Sequence, residues 1–139
     1  RSYGQITDDV QDNQVLEFGG LNGVGYQQDT WKFKAGAWTQ CTAASCTGAN
    51  EPPLTAFGAL AYDPPHSDSL VTGGYTGTTI NSGAYWTFAA DTWTQVSSSN
   101  PPGLQSASMA YDANTVDTYI VFFGGNAGNG EQGTTWIFV

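Results

Sequence analysis

The chain has 139 residues, of which 12 are acidic and three are basic, so its formal net charge at pH 7 is −9. This charge argues against nucleic acid as a partner, because phosphate binding requires a basic protein surface. No run of apolar residues is long enough to span a membrane, and a hydrophobic content of 40% is sufficient for a substantial core.

The composition and its alternation along the chain predict β structure. Aromatic residues make up 14% of the sequence, and 18 residues are glycine. Segments rich in Val, Ile, Thr, Tyr, Phe and Trp are separated by short segments rich in Gly, Pro, Asn, Asp and Ser, and none has the length and apolar period of a helix. We therefore expect an all-β protein whose strands are joined by tight turns.

A pair of glycines recurs along the chain and defines a repeat. Successive pairs are 54 and 51 residues apart, a period typical of a propeller blade. A tryptophan follows the first glycine of each pair by 12 or 13 residues, and in the two complete copies a second tryptophan follows seven residues later. The repeated residues are Gly19, Gly20, Trp31 and Trp38, then Gly73, Gly74, Trp86 and Trp93, then Gly124, Gly125 and Trp136.

Each copy predicts four short antiparallel strands. The first alternates small and larger apolar residues, as in Phe57–Tyr62 and Ser106–Tyr111, which is typical of an innermost strand. The second strand ends at the glycine pair, and the third and fourth each contain a tryptophan that we expect to pack between blades. The predicted units are blade 1 over residues 1–40, an inter-blade loop over 41–56, blade 2 over 57–95, a second inter-blade loop over 96–106 and a partial blade 3 over 107–139.

The order of glycine doublet, aromatic residue, six residues and tryptophan resembles the kelch repeat, a family whose repeats form β-propeller blades. Tryptophan stands here at Trp31, Trp86 and Trp136, where that family usually has tyrosine. The resemblance covers nearly the whole chain and implies a partial propeller of four-stranded blades. It does not specify a function, because kelch propellers serve as protein-binding scaffolds, as glycan-associated modules and as parts of a copper oxidase.

The repeat count predicts that the propeller is incomplete within this chain. Closed propellers have about four to eight blades, whereas the sequence predicts two complete blades and three strands of a third. Such an open stack would expose inter-blade faces and strand edges. We expect either that two chains associate to close a six-blade ring or that these residues belong to a longer propeller. We expect the first predicted strand to be an innermost strand, which would leave no spare strand in these residues to complete blade 3.

Cys41 and Cys46 lie in the first inter-blade loop, which is six residues longer than its counterpart. Because the extra residues and both cysteines occur together, we predict a local disulfide, with two free thiols as the alternative. A disulfide would indicate an oxidising compartment. We expect no metal site, because zinc needs four ligands and His66 is the only histidine.

Three further groups of residues carry side chains that could support chemistry. His66 is predicted to be a solvated turn residue, since the sequence has no GxSxG nucleophile motif and copper needs several ligands. Glu17 stands where Val71 and Phe122 occur in the other copies. It either faces the central channel, as a general acid or a ligand anchor, or lies at a blade edge and faces the solvent. Asp8, Asp9 and Asp12 lack the pattern of a calcium loop and are expected to be solvated.

The loops between the second and third strands, over residues 21–28, 75–82 and 126–132, are predicted to emerge on one face together with the cysteine loop. This face gathers side chains that suit a sugar or a polar protein surface. The candidate ligand-binding residues are Asn22, Tyr26, Tyr75, Asn81, Asn126 and Asn129. The alternative is that the asparagines and glycines of these loops only form turns.

The sequence as a whole predicts a non-catalytic extracellular or surface module for protein or glycan binding and assembly, without a cofactor. One alternative is a fragment of a secreted propeller enzyme, a hydrolase or an oxidase, whose catalytic residues lie elsewhere. The other is a structural subunit of a surface filament or layer.

Overall fold

The computed structural model describes residues 1–46, 51–96, 101–114 and 118–139, and all regular structure in these residues is β-strand. Three antiparallel sheets follow one another along the chain. Blade 1 contains β1 (Gln5–Asp9) and β2 (Gln14–Phe18), then, after a short hairpin of β3 (Leu21–Asn22) and β4 (Gly25–Tyr26), β5 (Thr30–Lys34) and β6 (Ala37–Gln40). Blade 2 contains β7 (Ala56–Asp63), β8 (Asp68–Tyr75), β9 (Tyr85–Ala89) and β10 (Thr92–Val96), and blade 3 contains β11 (Ser108–Asp112), β12 (Tyr119–Phe123) and β13 (Thr135–Phe138).

The predicted all-β fold with four-stranded antiparallel units is confirmed. Blades 1 and 2 have four strands each, paired in sequence order, and blade 3 has three. The loop predicted after the first glycine pair instead contains the hairpin β3–β4. It forms because the side-chain oxygen of Asn22 accepts hydrogen bonds from the backbone N–H groups of Val24 and Gly25, which closes a tight turn.

The first strands of the three blades are neighbours, as expected for innermost strands. At or just before the start of each of them, a residue that is not glycine has a positive φ: Tyr3 at 56°, Phe57, the second residue of β7, at 62°, and Ser106 at 58°. The N–H of Phe57 donates to the carbonyl of Tyr3 at 3.2 Å, and the N–H of Ser106 donates to the carbonyl of Phe57 at 2.7 Å. A left-handed conformation costs about 1 kcal/mol per residue, and these hydrogen bonds between blades offset that cost.

The glycine pairs are required where one blade meets the next. The N–H of Gly20 donates to the carbonyl of Thr55 at 2.7 Å, and a Cβ on Gly19 would overlap that same oxygen. The next junction repeats the contact, since the N–H of Gly74 donates to the carbonyl of Leu104 at 2.8 Å. Only glycine allows a neighbouring backbone to approach this closely.

The core between blades 1 and 2 is built around the tryptophan of β10. The ring centroid of Trp93 lies 5.2 Å from that of Phe18, and its Nε1–H donates to the Thr30 hydroxyl at 2.8 Å, with all three residues buried. The other buried members of this cluster are Leu16, Cys41, Leu60, Val71, Trp86 and Phe88.

A second core joins blades 2 and 3. The buried residues of blade 2 in this core are small or aliphatic, with Tyr85 packed against them, and blade 3 supplies aromatic rings together with smaller apolar residues. Ala59, Ala61 and Leu70 of blade 2 meet Ile120, Phe122, Trp136 and Phe138 of blade 3. Strand β7 is therefore covered on both faces, and six of its eight residues are buried, as in the neighbouring strand β8.

Trp38 departs from the expected inter-blade packing. It occupies in β6 the place that Trp93 occupies in β10, and it packs on Phe33 at 5.3 Å as Trp93 packs on Phe88 at 4.9 Å. Trp38 is nevertheless 45% exposed. The reason is that no sheet among the described residues covers this face of blade 1.

Two matched substitutions test the close approach at the glycine pairs. We expect Gly73→Ala to lower the free energy of unfolding by roughly 3 kcal/mol, because its Cβ would overlap the carbonyl oxygen of Leu104. Gly124→Ala has a comparable φ, +76° against +71°, but its Cβ would lie 3.7 Å from the nearest atom, so we expect a loss of about 1 kcal/mol. Urea denaturation at low protein concentration measures both values. Equal losses would contradict the account.

Candidate functional site

The connections after the glycine pairs lie at the same end of all three blades, because β2, β8 and β12 run in the same direction. The inter-blade loop joins them there: the N–H of Thr55 donates to the carbonyl of Gln27 at 2.9 Å, and the Gln28 amide donates to the carbonyl of Pro52 at 2.8 Å. We call this surface the loop face and define it as residues 21–28, 41–46, 51–55, 75–82 and 126–132.

Two of the predicted ligand-binding residues form a pair on the loop face. The rings of Tyr26 and Tyr75 meet edge to face, with centroids 5.9 Å apart and an interplanar angle of 75°, and both residues are half-buried. Gly77 lies directly against Tyr26, since a Cβ there would be 2.8 Å from the Tyr26 ring. The pair thus fixes the loop of blade 1 to the loop of blade 2 and leaves part of each ring accessible.

Three of the four predicted asparagines shape the loops in which they lie. Asn22 closes the β3–β4 hairpin, the Asn126 side-chain oxygen accepts the N–H of Gly128 at 2.6 Å, and the Asn81 amide donates to the carbonyl of Gly73 at 3.1 Å. Asn129 is exposed. In each of these three asparagines, the hydrogen bonds of the loop use one of the two polar atoms of the side-chain amide. A ligand would bind to the other polar atom.

A run of threonines beside Tyr75 was not among the residues selected from the sequence. The Thr76 hydroxyl lies 3.2 Å from the hydroxyls of both Thr78 and Thr79, in an exposed turn. Ile80 follows, and its Cδ1 would lie 3.3 Å from a Cβ on Gly128 of blade 3. The adjacent hydroxyls are available to a ligand, and their signal in the sequence is the segment Thr-Gly-Thr-Thr within a loop already selected.

A small cavity lies under the loop face, between blades 1 and 2. Its volume is about 90 Å³, and its walls include Phe18, Pro52, Thr55, Asn81 and Trp86. This volume corresponds to about three water molecules and is well below the roughly 300 Å³ of a typical small-molecule site. A ligand of the loop face would therefore bind on the surface rather than inside the fold.

The predicted disulfide between Cys41 and Cys46 is confirmed, with a Cα–Cα distance of 5.3 Å. Cys41 belongs to the buried cluster between blades 1 and 2, and Cys46 packs against that cluster. The bonded loop is a compact turn in which the N–H of Ser45 donates to the carbonyl of Thr42 at 2.9 Å. The disulfide thus anchors one edge of the loop face to the core.

His66 lies in the turn between β7 and β8, at the end of blade 2 opposite to the loop face. Its Nδ1 is 2.8 Å from a carboxylate oxygen of Asp63, and its side chain is exposed. The hydrogen bond and the charge of Asp63 raise the pKa of His66. Burial, together with the negative charge of Asp63, raises the pKa of Asp68. This arrangement agrees with the predicted turn residue.

Glu17 lies on the face of blade 1 that points away from blade 2. Its carboxylate is 3.8 Å from the Arg1 guanidinium, which also donates to Asp29 at 2.6 Å. Burial acts to raise the pKa of Asp29, but hydrogen bonds from Arg1 and Trp31 hold it below its usual value. Glu17 is therefore part of an ion group on a sheet face.

The acidic cluster at the β1–β2 turn has a structural role at Asp9. Its carboxylate is buried and accepts a hydrogen bond from the Gln14 amide at 2.6 Å, while Asp8 is exposed. In the described part of the chain, no three His, Cys, Asp or Glu side chains are grouped so that they could hold a metal ion. The same residues contain no helix that could cross a membrane.

Comparison with known proteins gives this chain no family. No protein-family model and no curated protein sequence matches it.

Removing the disulfide tests its contribution to the loop face. We expect replacement of both Cys41 and Cys46 by alanine to lower the free energy of unfolding by about 2 kcal/mol, because a short loop is no longer constrained in the unfolded chain. Urea denaturation of the double variant against the oxidised wild type gives the value. An unchanged midpoint in urea would contradict this role.

The pair of His66 and Asp63 predicts a dependence of stability on pH. A raised pKa means that the stabilisation is fully present below the unfolded value of about 6.5 and is lost as the pH rises through the folded value. We therefore expect His66→Gln to lower the melting temperature at about pH 5.5 and to leave it unchanged at about pH 9. A difference that is the same at both pH values would rule out this pair as its cause.

Proposed function

We propose that this chain is a kelch-like propeller module that works through binding and assembly, without catalysis of its own. The loop face is its binding surface. The observation that carries the proposal is the pair of Tyr26 and Tyr75, which joins the loops of two blades and keeps both rings partly accessible. The support for a kelch-like blade is the position of the glycine pairs at the junctions between antiparallel sheets.

The ligand class that fits the loop face best is a glycan. Aromatic rings stack on the apolar faces of sugar rings, while hydroxyl and amide groups hydrogen-bond to sugar hydroxyls. The tyrosine pair stands beside the exposed hydroxyls of Thr76, Thr78 and Thr79, and Asn129 is exposed on the same face. Because the cavity below holds only about 90 Å³, the ligand would lie along the surface, as an extended oligosaccharide does.

We propose that the protein acts outside the cell or at the cell surface. The disulfide between Cys41 and Cys46 supports this location, because disulfides form and persist in oxidising compartments. The net charge of −9 supports solubility there.

A glycan array tests the loop face directly. We expect at least one class of oligosaccharide to bind, and we expect the double variant Tyr26→Ala, Tyr75→Ala to lose that binding by roughly tenfold or more, since aromatic residues dominate binding energies. Tyr119→Ala is the control, because Tyr119 lies at the opposite end of blade 3. An array without any signal, or equal signals from the wild type and the double variant, would contradict the proposed ligand class.

A further inference from the structure

Two sheet faces of the structure are open, and they are the two that would meet if the stack of blades continued into a ring. We call the face of a blade that points toward the preceding blade in the stack its front face, and the face that points toward the following blade its rear face. On the front face of blade 2, which blade 1 covers, Leu60, Val71 and Trp93 are buried. At the equivalent positions of blade 1, Ile6 is 59% and Trp38 is 45% exposed. On the rear face of blade 3, Phe123 is 52% and Ile137 is 53% exposed, whereas Phe18 at the corresponding place in blade 1 is buried.

The rear face of blade 3 repeats the side-chain pair that receives a tryptophan in blade 1. Phe18 and Thr30 are cross-strand partners, and together they bind Trp93 through ring contact and a hydrogen bond to its Nε1–H. Phe123 and Thr135 are cross-strand partners at the equivalent positions, and both are exposed.

Blade 2 differs at these positions. Its rear face carries the cross-strand pair Thr72 and Tyr85, and it faces blade 3, whose described strands include no equivalent of β10. The phenylalanine–threonine pair is thus present on the rear face of blade 1, where a tryptophan of a fourth strand packs, and absent from the rear face of blade 2, where none packs among the described residues. Trp38 lies in the fourth strand of blade 1 and is exposed. It is the tryptophan that would pack against the open pair of Phe123 and Thr135.

The hydrogen bonds between a glycine N–H of one blade and a carbonyl before the next blade form a series that could continue at both ends of the stack. At both internal junctions, the acceptor for the glycine N–H is the carbonyl two residues before a residue of positive φ: Thr55 precedes Phe57, and Leu104 precedes Ser106. The third such residue is Tyr3, so the acceptor of a third contact of this kind would be the carbonyl of Arg1. The N–H of Gly125 meets no carbonyl of a following blade among the described residues, and it borders an open groove of about 580 Å³.

The hydrogen bonds that join the starts of the innermost strands form a second series of this kind. Tyr3 accepts from Phe57, and Phe57 accepts from Ser106. The next contact of this series would join the N–H of Tyr3 from another blade 1 to the carbonyl of Ser106. The two backbone contacts and the tryptophan contact all require the same neighbour, which is the front of blade 1.

We infer that the rear face of blade 3 binds the front face of blade 1 in a second copy of this chain, and that two such junctions close a ring of six blades. Closed propellers have about four to eight blades, and two is the only number of three-blade copies in that range. The ring contains this interface twice, and a twofold axis relates the two copies of the interface. This inference rests on the assembly part of the proposed function and not on the loop face.

Charge adds a condition to this association. Each copy has a net charge of −9, so the copies repel one another at low ionic strength. Glu17, which replaces the valine found in blade 2, is paired with Arg1 on the front face. The other contacts argued above for this junction are apolar packing and hydrogen bonds between uncharged groups, and we expect the dimer to tighten as salt screens the repulsion.

The experiment measures the molar mass of the purified chain by light scattering and sedimentation over a series of protein and salt concentrations. We expect a dimer for the wild type. Trp38→Glu and Phe123→Glu should each raise the dissociation constant roughly 30-fold or more, as the loss of a central aromatic contact does. The control is Val24→Glu, which places the same charge at an exposed residue of the β3–β4 hairpin. Circular dichroism and melting temperature verify that all three variants fold.

Mixing the two interface variants tests the front-to-rear geometry. A mixture of Trp38→Glu and Phe123→Glu chains retains one junction in which Trp38 of one copy meets Phe123 of the other. We expect this mixture to form heterodimers at concentrations where each variant alone is monomeric. A dimer that only one of the two variants disrupts would show a face that binds itself, and would overturn the inference. Absence of heterodimers in the mixture would overturn it as well.

Two other results of the molar-mass measurement would also overturn the inference. A wild type that is monomeric at every concentration and salt would overturn the inference and indicate that further blades of one polypeptide cover the open faces. Open polymers of increasing length would overturn the closed ring. The variant Tyr26→Ala, Tyr75→Ala should dimerise like the wild type, so that failure of glycan binding and failure of assembly are separate results.

Discussion

The structure depends on a backbone carbonyl that enters the space beside a pair of glycines. At each internal junction this carbonyl accepts the N–H of the second glycine, Gly20 or Gly74, and occupies the position where a Cβ of the first glycine would lie. The contact sets the distance and the angle between consecutive sheets. The apolar faces then follow from strand alternation, since the side chains that point toward the neighbouring sheet have a fixed distance to fill.

The tryptophan contacts are the side-chain counterpart of this backbone contact. Trp93 fills the space between blades 1 and 2 because its ring reaches Phe18 and its indole N–H reaches the Thr30 hydroxyl. With the sheets fixed at both their inner and outer strands, the loops at one end are held as a row, in which Tyr26 meets Tyr75. The loop face therefore has few internal degrees of freedom, which would reduce the entropy lost in the proposed binding.

The sequence predicted the blades because their determinants are local or periodic. Glycine pairs, tryptophans and alternating strands report backbone conformation and burial directly, and the cysteines lie close enough in sequence to indicate their bond. The sequence predicted that inter-blade faces would be exposed, but it did not predict that Trp38 lies on one of them, because the burial of a side chain depends on which sheet covers its face. Nor did it distinguish Asn81, whose amide holds the carbonyl of Gly73, from an asparagine available to a ligand, because that depends on where the neighbouring backbone lies.

Amide hydrogen exchange of three glycines tests the central claim most directly, because it reports the junction contact itself. The account predicts that the N–H groups of Gly20 and Gly74 exchange slowly at every protein concentration. The N–H of Gly125 should exchange rapidly in the monomer and become equally protected as the chains associate. Exchange of Gly20 and Gly74 as fast as that of the exposed Gly23 would contradict the account, and so would an N–H of Gly125 that remains unprotected in a dimer.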